Sequence, residues 1–141
     1  MKPALLDTGV IVALLDRSET KHASCVATVG GLAHPLATCE AVIAESCYLL
    51  RRLEGAPEAV LENVERGVFQ IPFRIAQSAA AVRGILRKYR DLTPDYADAC
   101  LIQLAEELDT GDILTLDSGF RAYRWRRNHW QDRGASSSHG I

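Results

Sequence analysis

Near its start the chain reads Ala4-Leu5-Leu6-Asp7-Thr8-Gly9, and near its end a similar stretch reads Ile113-Leu114-Thr115-Leu116-Asp117. Each is a short apolar run that ends in an aspartate, which is typical of a buried strand entering a turn. Ligands of open parallel sheets bind beyond the carboxyl ends of the strands. We therefore expect Asp7 and Asp117 to converge on one cleft, although more than a hundred residues separate them.

The residues between these two stretches alternate between helix-like and strand-like patterns. Further strands are predicted at 34–37 and 68–71, and the helices at 10–15, 22–29, 39–53, 57–67, 75–88 and 94–108. Thr38 is the expected cap of the third helix, and Thr93-Pro94 is the expected start of the last one. Alternation of this kind predicts an α/β fold with a parallel sheet.

Length and composition indicate one globular domain. The chain has 141 residues, of which 48% are hydrophobic and 24% charged, with a net charge of -2. We assign residues 1–133 to the domain and expect the small, polar segment 134–141 to be a disordered tail. The four cysteines show no CxxC spacing, no secretory apolar region precedes Asp7, and no apolar run is long enough to cross a membrane. We expect a cytoplasmic protein.

Two further acids lie within predicted helices and border their apolar stripes. Glu45 lies within roughly 60° of Val42 and Leu49 on a helical wheel, whereas Glu40 is about 160° from Val42. In the last helix Asp98 flanks the stripe formed by Ala97, Leu101, Leu104, Ala105 and Leu108. Asp95 is predicted to point away from that stripe and to serve as a first-turn acid favoured by the helix dipole.

Each of these acids also has a simpler interpretation. Asp7 and Asp117 would each serve as a helix cap, and Glu45 and Asp98 as solvated or ion-paired side chains. As a set, however, four carboxylates directed into one cleft would repel one another unless a divalent cation neutralised them. Their hard oxygen ligands suit Mg²⁺ or Mn²⁺. The set therefore predicts a metal site for Asp7, Glu45, Asp98 and Asp117.

The same residues carry a resemblance to a known family. The chain resembles the PIN-domain ribonucleases of the VapC toxin type from Leu5 to about Arg124. The matching features are Leu5-Leu6-Asp7-Thr8-Gly9, the Asp16 to His22 segment, Ala44-Glu45, Asp98-Ala99-Cys100-Leu101-Ile102-Gln103-Leu104-Ala105 and Ile113-Leu114-Thr115-Leu116-Asp117-Ser118-Gly119-Phe120. The resemblance implies a three-layer α/β/α sandwich around a short central parallel sheet, with the four acids as catalytic ligands of Mg²⁺ or Mn²⁺. From Trp125 onward the chain matches no pattern of that family.

The activity implied by the resemblance is hydrolysis of RNA phosphodiester bonds by a toxin that a cognate antitoxin holds inactive and that forms homodimers. Thr8 and Ser118 are candidates to orient the carboxylates by hydrogen bonding, whereas Thr115 is expected inside a strand. An acidic site alone would repel RNA, so nearby cations are needed. The candidates are Arg121, Arg124, Arg126 and Arg127, which interleave with Tyr123, Trp125 and Trp130; Arg51-Arg52 is a further candidate, or complements a helix C-terminus.

Other classes of protein share parts of this pattern. The Asp7-Thr8-Gly9 tripeptide also occurs in retroviral-type aspartic proteases, but their sites lie in β-sheet dimers and this chain is largely helical. A haloacid-dehalogenase-like phosphatase would have a second aspartate where Gly9 stands. The remaining alternative is a non-catalytic PIN-like module that binds RNA or protein.

Overall fold

Five short parallel strands form one sheet at the centre of the protein. The computed structural model describes residues 2–116 and 131–132. The strands stand in the order β3-β2-β1-β4-β5, and every neighbouring pair is parallel. Their bounds are β1 Ala4–Leu6, β2 Leu36–Ala37, β3 Phe69–Gln70, β4 Asp112–Leu114 and β5 Gln131–Asp132.

Helices connect these strands and cover both faces of the sheet. They are α1 Thr8–Leu15, α2 His22–Gly30, α3 Glu40–Leu49, α4 Ala56–Glu65, α5 Ile75–Lys88 and α6 Tyr96–Leu108, with a 3-10 turn at Arg90–Leu92. Successive residues of a strand point to opposite faces, yet Ala4, Leu5 and Leu6 are all 0% exposed. Both faces of β1 are therefore buried, and the α/β/α sandwich with a central parallel sheet is confirmed.

The strand order places β1 between β2 and β4. The chain leaves β1 toward β2 and later crosses back to add β4 on the other side. Such a reversal of direction creates a crevice at the carboxyl ends of the two strands, where α/β proteins bind their ligands. Asp7 follows β1 directly, and Thr115 follows β4 directly.

The Asp16 to His22 segment joins α1 to α2 through local contacts. The carboxylate of Asp16 accepts hydrogen bonds from the amide and the hydroxyl of Ser18, which lower its pKa. The His22 ring lies 2.7 Å from the carbonyl oxygen of Ala13 through Nδ1. These contacts give the segment a structural role in shaping the turn.

Two predicted helix starts were wrong. Thr38 does not cap α3, because its hydroxyl donates to the carbonyl of Leu6 at 2.9 Å and so ties β2 to β1; the N-cap is Cys39. The last helix begins after Asp95, which is its N-cap, whereas Thr93 ends the preceding 3-10 turn with a left-handed φ of 45°.

Helix α3 ends at Leu49, four residues before the predicted end at residue 53. Residues 50–55 form turns instead, and Gly55 with a φ of 80° leads into α4. Among residues 2–116 and 131–132, no helix is both long and apolar enough to cross a membrane.

Candidate active site

Asp7 is held in a fixed orientation by hydrogen bonds to both of its carboxylate oxygens. As the N-cap of α1, it accepts from the Thr8 amide at Oδ1 (2.8 Å). Its Oδ2 accepts from the hydroxyl of Thr115 at 2.7 Å. The capping interpretation of Asp7 is thus correct, and it coexists with a position at the sheet's crevice. Only 6% of Asp7 is exposed.

Glu45 is connected to the same strand end through Thr8. The hydroxyl of Thr8 donates to Oε1 of Glu45 at 2.6 Å, across 37 residues of sequence. Thr8 is 6% exposed, and Glu45 is half-buried. Thr8 therefore orients a carboxylate, as the sequence predicted, and it also begins α1, two residues before the predicted start. The hydrogen bond also fixes α3 against α1.

Asp7, Glu45 and Asp98 line one cleft. The cleft has a volume of about 310 Å³ and is also lined by Thr8, Gly9, Leu49, Asp95 and Leu116. Three of the four acids singled out from the sequence are therefore brought together from β1, α3 and α6. A larger cavity of about 490 Å³ lies elsewhere, between the end of α1 and the start of α4, and contains none of these three acids.

The structure adds Asp95 to the cleft, contrary to the prediction that it points away. Asp95 lies outside the helical part of α6, as its N-cap, and its Oδ1 accepts from the Asp98 amide at 2.8 Å. A helical wheel does not apply to a residue with extended backbone, and this is why the projection misplaced it. The sequence pattern placed the start of this helix at residue 94, whereas α6 begins at Tyr96, and this difference of two residues changed the expected position of Asp95.

Thr115 is the second residue that the sequence interpretation undervalued. It was expected inside a strand, but β4 ends at Leu114, so the hydroxyl of Thr115 reaches Asp7. Thr115 is 0% exposed. The contact depends on the register of β1 and β4, which pairs Leu6 with Leu114.

Two thiols link the helices that carry Glu45 and Asp98. Cys39 at the start of α3 and Cys100 on α6 are hydrogen-bonded to each other, and both are buried. The hydrogen bond to Cys100 and burial raise the pKa of Cys39. The pair connects α3 to α6, and neither thiol lines the cleft.

The described carboxylates do not form a ready metal-binding cluster as they stand. Among residues 2–116 and 131–132, no three His, Cys, Asp or Glu side chains are grouped closely enough to hold a metal ion. The donor set is nevertheless of the right kind, since carboxylate oxygens are the ligands preferred by Mg²⁺ and Mn²⁺. Metal binding here requires the carboxylates to move toward one another, or a further ligand.

Several predicted residues lie outside the described part of the chain. They are Asp117, Ser118, Arg121, Arg124, Arg126 and Arg127, together with the predicted tail at 134–141. Their assigned roles remain predictions.

Comparison with known proteins gives two matches. The model of the family described as PIN domain matches residues 4–126. Ribonuclease VapC26 of Mycobacterium tuberculosis is 31% identical over 115 residues, which is 80% of this chain and 85% of that protein. The residues matched by the family model include β1, α3 and α6, the elements that bring Asp7, Glu45 and Asp98 to the cleft.

Proposed function

Because the chain belongs to the PIN domain family, we propose that it is a divalent-metal-dependent endoribonuclease that hydrolyses RNA phosphodiester bonds. The similar protein from Mycobacterium tuberculosis is named a ribonuclease. The observation that carries the proposal is the joint lining of one cleft by Asp7, Glu45 and Asp98 at the crevice between β1 and β4.

Asp7, Glu45, Asp98 and Asp117 are the proposed metal ligands. When bound, Mg²⁺ or Mn²⁺ would supply charge neutralisation for the phosphoryl oxygens and acidify the attacking water. The chain's own contribution is to hold the carboxylates in place beforehand. Thr115 and the Thr8 amide orient Asp7, and the Thr8 hydroxyl orients Glu45. These hydrogen bonds limit the orientations of Asp7 and Glu45, so that only a small further movement of the carboxylates, or a ligand such as Asp117, would be needed to complete the site.

The acids need basic residues to bring RNA to them, because negatively charged carboxylates and phosphates repel. We propose Arg121, Arg124, Arg126 and Arg127 for this role, and Ser118 as a hydrogen-bond donor near Asp117. All five follow β4 closely in sequence. The sequence proximity to Thr115, which contacts Asp7, supports their placement near the cleft.

The biological role that fits this activity is the toxin of a toxin–antitoxin pair. The named relative is a VapC ribonuclease, and by analogy we propose that this enzyme acts in the cytoplasm and is held inactive by a cognate antitoxin protein. We further propose a homodimer as the working form. Size-exclusion chromatography with light scattering measures the mass of the protein and tests the homodimer. Loss of RNA cleavage on addition of a protein that co-purifies with this chain tests the antitoxin.

Cleavage of a labelled, structured RNA pool in Mn²⁺ or Mg²⁺ tests the activity directly. We expect cleavage that stops in EDTA and in the D7N and D98N variants. Asp91→Asn is the matched control that should still cleave, since Asp91 is exposed on the 3-10 turn and does not line the cleft. Cleavage that persists in D7N and D98N at the wild-type rate would come from a contaminating ribonuclease and would contradict the proposal.

A non-catalytic PIN-like module is the second candidate. It is favoured by the lack of three grouped metal ligands within residues 2–116 and 131–132. Calorimetric titration with Mn²⁺ separates the two functions: binding that D7N abolishes supports the nuclease, whereas no binding and no cleavage by the wild-type protein support the module.

A further inference from the structure

Two large side chains project into solvent where α3 ends at the cleft. Tyr48 is 61% exposed and Leu49 is 54% exposed. They follow Glu45 by three and four residues, so on a helix all three share one face with neighbouring Cβ atoms about 5–6 Å apart. Leu49 lines the cleft together with Glu45. Tyr48 does not itself line the cleft, but it directly precedes Leu49, which does, and it shares a helix face with Glu45.

Arg51 is fixed against the ring of Tyr48. Its guanidinium carbon lies 3.8 Å from the ring centroid, and its Nη1 donates to the carbonyl oxygen of Tyr48 at 2.7 Å. The planar cation and the ring thus form one unit, which we name the Tyr48–Arg51 platform. Both residues are exposed, as is Arg52 beside them.

The charge of this platform is not used within the described fold. Among residues 2–116 and 131–132 the one salt bridge joins Lys2 to Asp109, so Arg51 and Arg52 neutralise no carboxylate there. A helix C-terminus is a favourable place for a cation, but that effect does not require an exposed aromatic ring. An aromatic ring and a cation beside a cleft of opposite charge are complementary to a ligand that has both a flat ring and an anion.

A nucleotide has both of these groups, and we infer that the Tyr48–Arg51 platform holds an unpaired nucleotide of single-stranded RNA next to the cleft. The base stacks on Tyr48, and Arg51 with Arg52 contacts the adjoining phosphates. Stacking on an aromatic side chain accepts any base, whereas the arginines draw the backbone past the repelling carboxylates. The inference rests on the proposed function for its substrate.

Binding of a short fluorescein-labelled single-stranded RNA, followed by fluorescence anisotropy in EDTA, tests the platform without cleavage. We expect Tyr48→Ala to weaken binding by about 5- to 150-fold, the loss typical of one stacked base. Tyr48→Phe keeps the ring and should bind within about twofold of the wild-type protein. Arg51→Ala should reduce the salt dependence of log K by about 0.7 for each phosphate that the variant no longer neutralises.

Arg83→Ala is the matched control for charge, because Arg83 is exposed on α5, which contributes nothing to the cleft lining. It should leave RNA affinity unchanged. Wild-type affinity in Tyr48→Ala, equal losses in Y48A and R83A, or no RNA binding by the wild-type protein would each overturn the inference. If Y48A lost binding to an inhibitory protein and kept its affinity for RNA, the platform would be a protein-binding surface instead.

The proposed function and this inference fail in different ways. RNA binding that depends on Tyr48, without cleavage in Mn²⁺ or Mg²⁺, would contradict the nuclease and support the platform. With cleavage present, we expect Y48A to raise KM and to leave kcat unchanged, because Tyr48 contacts the nucleotide beside the reacting phosphate. A lower kcat with an unchanged KM would contradict the platform and leave the nuclease in place.

Discussion

The hydroxyl of Thr115 is one of the hydrogen-bond donors that orient Asp7, together with the Thr8 amide. It is fully buried and lies 2.7 Å from Asp7 Oδ2 across 108 residues of sequence. The sequence indicated Asp7 because an acid at the end of an apolar run is a local feature. It did not indicate the partner, because that hydrogen bond exists only once β1 and β4 pair in register.

Replacing Thr115 with valine keeps the shape of the side chain and removes the donor. We expect Mn²⁺ affinity or the rate of RNA cleavage to fall by about 10- to 100-fold, the loss typical of residues that orient metal ligands. Thr115→Ser keeps the hydroxyl and should restore most of the activity. Cleavage rates measured over a Mn²⁺ titration give both quantities.

The control is Thr110→Val at the other end of β4. The Thr110 hydroxyl is also buried, but it donates to the carbonyl of Pro3 at 3.0 Å and does not reach the cleft. Both valine variants lose a buried hydrogen bond, so both are expected to lose stability. Equal activity losses in the two variants would mean that Thr115 acts through stability alone.

At the scale of whole elements, α6 buries more of its surface than its sequence pattern predicts. The wheel predicted one buried stripe, of which Ala97, Leu101, Leu104 and Ala105 are buried and Leu108 is half-buried. Ala99, Cys100 and Ile102 are buried as well, because α6 packs against both α3 and α5. Periodicity identifies one face of a helix, whereas the second face is set by neighbours that are distant in sequence.

Leu104→Ala tests the contribution of α6 to the core. Leu104 is 0% exposed, so its truncation should lower the free energy of unfolding by about 2–5 kcal/mol. Leu61→Ala on α4 removes the same atoms from a side chain that is 54% exposed. It should change the free energy of unfolding by less than about 0.5 kcal/mol. Urea denaturation followed by circular dichroism compares them. Similar losses in both variants would contradict the central position of α6.

Asp95 caps α6 and lines the cleft, and two substitutions separate these roles. Asp95→Ala removes the acceptor for the Asp98 amide and should cost about 1 kcal/mol of stability. Asp95→Asn caps almost as well, so we expect wild-type stability but weaker Mn²⁺ binding, since the cleft loses one negative charge. Thermal unfolding and calorimetry measure the two effects. Unchanged Mn²⁺ affinity in D95N would assign Asp95 to capping alone.

At the scale of the whole molecule, the alternation of elements predicted an α/β fold but not the order of its strands. Strands β2 and β3 contain only two residues each, so their own patterns say little about their neighbours. Their position is set by pairing with strands that are distant in sequence, β2 with β1 and β3 with β2. The convergence of Asp7, Glu45 and Asp98 was predictable because strand ends and helix stripes are local signals, and parallel sheets gather them at one edge.

The whole molecule should become more stable when a divalent cation occupies the cleft. Binding to the folded state alone adds about 2.7 kcal/mol at a cation concentration 100-fold above Kd, which raises Tm by about 5 °C or more.

Glu45→Gln keeps an oxygen that accepts from Thr8 and removes one charge. Because it relieves carboxylate repulsion, E45Q should be no less stable than the wild-type protein in EDTA. Its Tm should nevertheless rise less than that of the wild-type protein when Mn²⁺ is added. Differential scanning calorimetry of both proteins, with Mn²⁺ and with EDTA, gives the four Tm values to be compared. An equal increase in Tm with Mn²⁺ in both proteins would show that Glu45 is not a metal ligand. No increase in either protein would contradict metal binding in the cleft.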